Sequence, residues 1–370
     1  MDRKLVLISG YYGFDNLGDE AILEELVSEL KRVVDADDIV VLSANPDLTA
    51  KRYGVRSMQR KSFGEFWNIL TQARLFISGG GGLFQNTKTL GSILFYGLQI
   101  LMAKAHNVPT LIYAQGIGPL NGKLAENICR QFFAQASQIT VRDDASMKIL
   151  ESWQLPAIRT ADPVWNLEPK AAPQAILDQL ATADGKSKLV GLSLRPSHDL
   201  TDAHLKRLAE GLFMIMDETQ HLVLLPLQKE QDLPLLEKFH SFWLERGRRS
   251  IILDISSIEY PSQWAALFSK FDFVVAMRLH ALIFALKAGL PVSGIAYDPK
   301  VTQLLAEFEQ TCLILTKESN AEQWVESLKS FKNSMPSHSR SAKQHLESAK
   351  NLACQNFENI ARILNMPRAV

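Results

Sequence analysis

The sequence has few cysteines and no excess of charge of either sign. Its three cysteines, Cys129, Cys312 and Cys354, lie too far apart for a disulfide framework or a zinc-binding spacing. Forty Lys and Arg residues balance forty Asp and Glu residues, which disfavours a nucleic-acid binder that depends on backbone electrostatics. We therefore expect a protein of a reducing compartment with no metal site and no nucleic-acid partner.

Long apolar runs are also missing, and we expect no N-terminal leader. The longest apolar stretch, 93–103, is interrupted by Gly97 and Gln99 and is shorter than the ~20 residues that a membrane span needs. Residues 1–5 lead directly into a strand pattern, which leaves no room for a signal peptide. These absences predict a cytoplasmic protein.

Short β-rich runs alternate with helical patterns along the chain. Continuous apolar runs bounded by turn residues predict strands buried on both faces. They occupy residues 5–9, 39–42, 75–78, 110–114, 138–141, 189–194, 222–225, 251–253, 273–276 and 291–296. Apolar residues at helical spacing separate most of them, and Asp19 fits the N-cap of the first helix. The alternation predicts mainly parallel, doubly wound sheets.

Breaks in this alternation divide the chain. Linker-like residues at 168–173 and 183–187 predict a first α/β domain over residues 1–168 and a second over residues 169–340. The Ser-rich stretch 334–341, with Pro336, predicts a third break before a terminal helix at 341–370. Two such domains facing each other would place strand ends on both sides of a cleft, where ligands of these sheets bind.

Glycines follow two predicted strands of the first domain. Gly79, Gly80, Gly81 and Gly82 come directly after the run 75–78, and Gln115 begins the segment Gln-Gly-Ile-Gly-Pro after the run 110–114. Backbone N–H groups of such turns can hold an anion, helped by a helix N-terminus. A tight turn where helix and sheet approach closely has the same pattern, so both interpretations stay open.

The loop 10–19 between the first strand and helix is rich in polar residues. It contains Asp15 and Asn16 and is followed by Asp19 and Glu20. Carboxylates repel an anion, so this loop suits capping or contacts with hydroxyl groups.

Cations follow several predicted strands. Arg278 and His280 come after the run 273–276, where a helix over 280–288 begins, and a helix N-terminus favours the neutral imidazole as a base or donor. Lys300 lies in the first turn after the cap Asp298, and Arg195 follows the run 189–194.

Several of the cationic residues also have a structural explanation. His280 can cap its helix, Lys300 can pair with Asp298, and Arg142, after the run 138–141, can pair with Asp143 or Asp144. Together the four cations predict a site for a small, highly anionic substrate held by forked guanidinium contacts.

Seven segments resemble the polysaccharide pyruvyl transferase family, specifically its CsaB-type members. In family order they are GYYGFDNLGDE at 10–20, SGGGG at 78–82, AQGIGP at 114–119, VRD at 141–143, SLRP at 193–196, MRLH at 277–280 and YDPK at 297–300. Each segment alone is weak, whereas the ordered set is specific. The chain after about residue 310 contributes no motif.

The resemblance implies a fold similar to glycosyltransferase family B (GT-B), with two Rossmann-like domains around a cleft. It also implies transfer of a pyruvyl group from phosphoenolpyruvate to two sugar hydroxyls, which forms a cyclic ketal without a further cofactor. Family roles map onto Arg195, Arg278, Leu279 and His280, and in bacterial members onto Arg142 and Lys300. In CsaB-like proteins the acceptor is a lipid-linked precursor of a cell-wall polymer that anchors surface-layer proteins.

This resemblance places the acceptor on the first domain and phosphoenolpyruvate on the second. If the acceptor is lipid-linked, the protein is expected to be cytoplasmic with a possible peripheral contact at the inner membrane face. Trp243 with the cations of 246–249 offers one such contact, although a helix beside a loop is the favoured interpretation of that pattern. The alternatives are a GT-B glycosyltransferase that uses a nucleotide sugar and a non-catalytic saccharide- or anion-binding protein.

Overall fold

The computed structural model describes residues 3–86, 89–181 and 188–365. The chain divides into an N-terminal unit, Met1–Leu167 with Ser348–Val370, and a C-terminal unit, Glu168–Glu347. The predicted linker at 183–187 lies outside the described residues.

A parallel sheet forms the centre of the N-terminal unit. Its strands are β1 (Leu5–Ser9), β2 (Ile39–Ser43), β3 (Arg56–Gln59), β4 (Ala73–Ser78), β5 (Thr110–Gln115), β6 (Gln138–Val141) and β7 (Ile158–Arg159). The helices are α1 (Leu17–Leu30), α2 (Pro46–Tyr53), α3 (Phe63–Ile69), α4 (Gly91–Ala105), α5 (Lys123–Phe133) and α6 (Asp144–Ser152). The strand order is β3-β2-β1-β4-β5-β6-β7, so the order reverses at β1 and β4. At such a point the carboxyl ends of the strands form a binding edge.

The C-terminal unit repeats this architecture. Its strands are β8 (Lys188–Ser193), β9 (Gln220–Leu224), β10 (Ser250–Ile252), β11 (Phe271–Ala276), β12 (Val292–Ala296) and β13 (Thr311–Ile314). The helices are α7 (Gln174–Leu180), α8 (Asp202–Ile215), α9 (Lys229–Leu244), α10 (Pro261–Phe268), α11 (Leu279–Lys287), α12 (Pro299–Glu307) and the first part of α13 (Glu322–Asn365), whose residues from Ser348 onward belong to the N-terminal unit. The order β10-β9-β8-β11-β12-β13 reverses at β8 and β11, and neighbouring strands pair in parallel.

All ten predicted strands are confirmed, and three further strands were missed. The missed strands β3, β7 and β13 each lie at an edge of a sheet. An edge strand is covered less than a central one, so it does not need a continuous apolar run. The sequence Arg-Ser-Met-Gln of β3, none of it fully buried, shows why no strand was predicted there.

The predicted N-cap of α1 was wrong. The cap is Asn16, whose side-chain oxygen accepts a hydrogen bond from the Gly18 N–H, and Asp19 lies in the first turn. An acidic residue is favourable at either place, which is why the sequence did not separate them.

The predicted break at 334–341 was also wrong, because α13 continues through Pro336. Serines of this stretch donate to carbonyls of the same unit: Ser339 Oγ to Gly289 O at 2.8 Å and Ser341 Oγ to Phe308 O at 3.0 Å. These tertiary hydrogen bonds hold a segment whose composition alone is typical of a linker.

The close contact between α4 and α5 gives a first prediction. A Cβ added at Gly97 would lie 2.0 Å from a ring atom of Phe132, whereas one added at Gly64 in α3 would meet nothing within 4 Å. Gly97→Ala is expected to lower the free energy of unfolding by about 1–3 kcal/mol despite the better helix propensity of alanine. Gly64→Ala is expected to be neutral or to raise it by up to about 1 kcal/mol. Urea unfolding of the two variants measures this difference, and equal effects would contradict the packing.

A second prediction concerns Glu29, whose carboxylate accepts a hydrogen bond from Tyr113 Oη at 3.4 Å. Burial, followed by the charge of Glu25, raises the pKa of Glu29 from 4.5 to about 8. Between these values the folded protein holds a proton that the unfolded chain has released, so this group lowers stability as pH rises, by up to about 1.4 kcal/mol per pH unit. Glu29→Gln is expected to raise the free energy of unfolding at pH 8 and to change it little near pH 5. Urea titrations at both pH values, with Glu151→Gln on the exposed side of α6 as control, test the sign.

Candidate active site

Three neighbouring strands of the C-terminal unit carry predicted cations at their carboxyl ends, and a fourth strand beside them is followed by a carboxylate. Arg195 follows β8, Arg278 and His280 follow β11, and Lys300 follows β12, while β9 is followed by Asp232 in α9. The strands are parallel and adjacent, so their carboxyl ends meet at the same edge of the sheet. The structure therefore brings the three cations and the histidine of this unit to one edge.

Arg278 is fixed by a buried carboxylate. Its Nε donates to Asp232 Oδ2 at 3.1 Å, and its Nη2 donates to Asp232 Oδ1. Asp232 is fully buried and also accepts the Gln228 N–H at 2.9 Å. Burial raises the pKa of the Asp232 carboxyl, although the hydrogen bonds from Arg278 act in the opposite direction. This forked pair sets the direction of the guanidinium group.

Arg195, after β8, is held by the aromatic side chain of Tyr297, which directly follows β12. Its Nη1 donates to Tyr297 Oη at 2.7 Å, and its guanidinium carbon lies 4.7 Å from the centre of the Tyr297 ring. Its Nε is buried and has no hydrogen-bond partner among the described residues. The contact with Tyr297 combines a hydrogen bond with a cation–π interaction. Tyr297 carries no charge, so this contact does not neutralise the guanidinium group of Arg195.

The capping predicted for Asp298 is confirmed, and it also engages Lys300. Asp298 accepts the Lys300 N–H at 3.1 Å, and the Lys300 ammonium lies 2.9 Å from Asp298 Oδ2. The ion pair is the structural alternative considered for Lys300. The Lys300 side chain is 25% exposed at the sheet edge and is therefore still accessible to an anion.

Leu279 and His280 form the first turn of α11, and Arg278 is its N-cap. The first N–H groups of a helix have no acceptor within the helix, so they and the helix dipole favour an anion at this end. The side chain of Leu279 is 9% exposed. Its backbone is therefore the part of Leu279 that suits a substrate contact.

The glycines of the N-terminal unit are arranged differently from the prediction. No helix begins at Gly82, because α4 starts at Gly91, so the expected help from a helix N-terminus was wrong. A Cβ on Gly79 would lie 2.1 Å from Tyr12 Oη, and one on Gly81 would lie 2.8 Å from an Asp19 carboxylate oxygen. These glycines make room for neighbouring side chains, and a carboxylate beside Gly81 disfavours a phosphate there.

Gln115 supports the same turn. Its Nε2 donates to the carbonyls of Gly81 and Gly116, and the Gly116 N–H donates to Gly81 O at 2.8 Å. Gln115 is fully buried. This placement makes it a residue that positions the glycine turn, and a direct contact with substrate stays a prediction, as it does for Gly80, Gly82 and Asn16.

Arg142 belongs to the N-terminal unit and pairs with a carboxylate that the sequence did not indicate. Its Nη1 lies 2.7 Å from Asp162 Oδ2, whereas its Nε lies 3.9 Å from Asp143. Burial would lower the pKa of Arg142, but the charges of Asp162 and Asp143 outweigh it and raise that pKa. Arg142 also packs against Gly116, where a Cβ would lie 2.9 Å from its Nε.

Sequence reasoning missed Arg60, a buried cation enclosed by aromatic rings. Its guanidinium carbon lies 4.5–5.8 Å from four ring centres, those of Tyr11, Phe14, Phe95 and Tyr96. Arg60 follows β3, and because β3 was not predicted, no strand end was sought there. Asp232 and Tyr297 were missed as well, although both follow predicted strands.

Trp243 does not form the membrane contact considered from the sequence. Its side chain is 1% exposed, and its Nε1 donates to Arg249 O at 3.1 Å. The helix-and-loop interpretation of this segment is therefore correct. Among the described residues, no helix combines the length and apolar character that crossing a bilayer requires.

Comparison with solved structures defines the class of fold. The UDP-GlcNAc 2-epimerase of Neisseria meningitidis, bound to UDP-GlcNAc, matches with 12% identity and a TM-score of 0.61, covering 97% of this chain and 100% of the other. HepE of Anabaena, in complex with UDP-glucose, matches with 12% identity and a TM-score of 0.62 over 96% and 99% of the two chains. The spinosyn rhamnosyltransferase SpnG matches with 12% identity and a TM-score of 0.58 over 98% and 100%. The protein has two parallel-sheet α/β domains of the GT-B-like class.

The sequence model of the polysaccharide pyruvyl transferase family matches residues 16–299. The chain belongs to this family, and the matched range contains Arg142, Arg195 and Arg278 and ends one residue before Lys300. No curated protein matches the sequence significantly.

A third prediction follows from the pair of Asp232 and Arg278. Asp232→Asn is expected to lower the free energy of unfolding by about 1–3 kcal/mol, because a buried guanidinium loses its charged partner. Glu326→Gln, which breaks the exposed pair with Lys329, is expected to cost less than about 1 kcal/mol. Thermal and urea unfolding measure both, and similar losses would show that the buried pair has no special role.

Proposed function

We propose that the protein transfers a pyruvyl group from phosphoenolpyruvate to a saccharide, as a CsaB-type member of its family. The observation that carries the proposal is the set of Arg195, Arg278 and Lys300 at neighbouring strand ends of a chain that belongs to the pyruvyl transferases. Phosphoenolpyruvate is a small molecule that bears a phosphate and a carboxylate on the same carbon atom, C2. Several cations must therefore converge on it.

The C-terminal unit has suitable groups for each part of this donor. Arg278, oriented by Asp232, presents a forked donor to a carboxylate or phosphate. The first-turn amide of Leu279 and the N-terminus of α11 add partial positive charge. Lys300 and Arg195 bring the remaining charge from the next strand ends. Arg142 is retained as a proposed substrate contact of the N-terminal unit.

The proposed chemistry needs proton transfer at defined atoms. Protonation of C3 of phosphoenolpyruvate makes C2 electrophilic, and a first sugar hydroxyl adds to C2 and gives up its proton. The bond from C2 to the phosphate oxygen then breaks, and a second hydroxyl adds to C2, loses its proton and closes the ketal. We assign His280 to take a hydroxyl proton or to donate one to the departing phosphate. The cations stabilise the negative charge of the leaving phosphate.

The acceptor is assigned to the N-terminal unit. Tyr11 and Phe14 stack with their ring centres 4.2 Å apart, and the carboxylate of Asp19 lies beside Gly81 near the same loop. Aromatic faces pack against the C–H face of a sugar ring, and carboxylates accept hydrogen bonds from hydroxyls. This arrangement supports a saccharide, and the resemblance supports a lipid-linked one that serves cell-wall assembly.

The competing function is transfer or epimerisation of a nucleotide sugar, because proteins of similar fold have been solved with UDP-glucose and UDP-GlcNAc. At 12% identity this likeness concerns the fold alone. The two functions differ in the donor, so donor dependence separates them.

A fourth prediction tests the proposal through His280. Phosphate release from phosphoenolpyruvate, measured with synthetic or lipid-linked mannosaminyl acceptors, is expected to fall by about 10²–10⁴-fold in His280→Ala. His221→Ala is the matched control, since His221 is also half-buried but lies in β9 within the sheet. Nucleotide sugars serve as the alternative donors.

Near-normal ketal formation by His280→Ala would refute the role of this histidine. Turnover of a nucleotide sugar, without phosphate release from phosphoenolpyruvate, would refute the proposed function itself.

A further inference from the structure

Tyr297 lies at the same sheet edge as the cations of the C-terminal unit. It directly follows β12, which is adjacent to β11, and β11 is in turn adjacent to β8. The side chain of Tyr297 is partly buried against the core of this unit, so its ring is held in place while part of it stays accessible. A phenol is therefore among the groups at the edge where ligands of such a sheet bind.

The hydroxyl of Tyr297 is the acceptor in its hydrogen bond with Arg195. The Arg195 Nη1 donates to Tyr297 Oη at 2.7 Å, and a guanidinium group cannot accept a hydrogen bond in return. The hydroxyl proton is therefore directed away from Arg195. Among the described residues, none accepts a hydrogen bond from this hydroxyl, so its proton is available to a substrate.

Arg195 also suits the conjugate base of this phenol. Its guanidinium carbon lies 4.7 Å from the centre of the Tyr297 ring, and its Nη1 is hydrogen-bonded to the phenol oxygen. When the hydroxyl releases its proton, negative charge develops on an oxygen that already accepts a hydrogen bond from a cation. A hydrogen bond between two charged groups is stronger than one to a neutral acceptor, so the contact favours the phenolate.

Arg195 links Tyr297 to the pair of Arg278 and Asp232. Burial has the largest effect on the Asp232 carboxyl and raises its pKa, while Arg278 and, more weakly, the charge of Arg195 lower that pKa. Arg195 is therefore close enough to Asp232 for its charge to act there. A guanidinium group has five N–H donors, so Arg195 can hold a substrate anion and the phenol oxygen together. The phenol and the anion would then be neighbours.

The two carboxylates that contact the cations of this edge are already engaged. Asp232 accepts the forked hydrogen bonds of Arg278, and Asp298 lies against the ammonium group of Lys300. Carboxylates held in this way are ionised and act only as acceptors. The histidine of this edge is assigned to the sugar hydroxyl and the phosphate. Among the described residues in these contacts, Tyr297 is the neutral acid that still has a proton to give.

We propose that Tyr297 is the acid that protonates C3 of phosphoenolpyruvate, an inference that rests on the proposed function. The π electrons of the C2–C3 double bond form the new C3–H bond, and the O–H bond breaks with its electrons on the phenol oxygen. The first sugar hydroxyl adds to the electrophilic C2, and its proton passes through His280 to the departing phosphate. The second hydroxyl then adds to C2 and gives its proton to the phenolate, so each turnover restores both residues.

A fifth prediction tests this role with Tyr297→Phe in the full-length protein. The change keeps the ring beside Arg195 and removes only the hydroxyl. In phosphate release from phosphoenolpyruvate with a saccharide acceptor, kcat is expected to fall by about 10²–10⁴-fold, with little change in KM for phosphoenolpyruvate. The matched control is Tyr260→Phe, at the other tyrosine of this unit, which is also half-buried and has the Lys170 ammonium 3.7 Å from its ring centre. It is expected to keep the wild-type kcat.

A second readout separates proton delivery from the positioning of Arg195. Phosphoenolpyruvate labelled stereospecifically with deuterium at C3, when it reacts in water that contains tritium, gives a methyl group whose configuration records the face of protonation. The ketal is hydrolysed to pyruvate, which is converted to acetate for this measurement. The wild type, with a fixed acid, is expected to give one configuration. The residual reaction of Tyr297→Phe, in which water supplies the proton, is expected to give both.

The outcomes distinguish this inference from the proposed function. A raised KM with kcat near the wild-type value, the pattern expected of Arg195→Lys, would overturn the acid role and make Tyr297 a positioning residue. A single configuration in the product of Tyr297→Phe would overturn it as well. If the wild type releases no phosphate from phosphoenolpyruvate, the proposed function is refuted and the acid role with it. Circular dichroism and thermal unfolding check that both variants fold.

Discussion

The buried ion pair between Arg278 and Asp232 is the constraint on which the candidate donor site depends. A guanidinium group that is 8% exposed needs a charged acceptor, and the fully buried Asp232 supplies both of its oxygens. The pair forms only if β9, β8 and β11 are adjacent and end at the same edge. The strand order therefore determines the position of Asp232, the orientation of the Arg278 guanidinium group and the positive charge at this edge.

The central strands and the cations at their ends could be predicted because both leave local signals. A strand covered on both faces is continuously apolar, and Arg195 and Arg278 interrupt that pattern where the strand stops. The edge strands β3, β7 and β13 left no such signal. Because β3 was not predicted, Arg60 at its end was not considered either. Asp232 lies 46 residues from Arg278 in the sequence, so only the fold shows that the two meet.

Caps and linkers were the less reliable inferences because a tertiary contact can replace the local rule. Asn16 and Asp19 are both good caps by composition, and the choice is set by where the loop leaves β1. Ser339 and Ser341 are residues typical of a linker, yet both lie inside the continuous helix α13. Their hydroxyls donate to the carbonyls of Gly289 and Phe308, which lie outside this helix. In both cases the residue types are polar and suited to capping or turns, but the sequence does not show which hydrogen-bond partners the fold provides.

The glycine turn shows how residues of one motif differ in what they do. At Gly79 and Gly81 there is no room for a side chain, because Tyr12 and Asp19 occupy that space. The side-chain amide of Gln115 holds the turn by donating to the Gly81 carbonyl. The ends of β8, β11 and β12, by contrast, bring cationic side chains to one edge of their sheet. The glycine turn of the N-terminal unit thus lies beside the carboxylate of Asp19, whereas the motif residues of the C-terminal unit supply positive charge. In the proposed reaction the C-terminal unit meets the anionic donor with this positive charge, and the N-terminal unit meets the acceptor hydroxyls with hydrogen-bond acceptors such as Asp19.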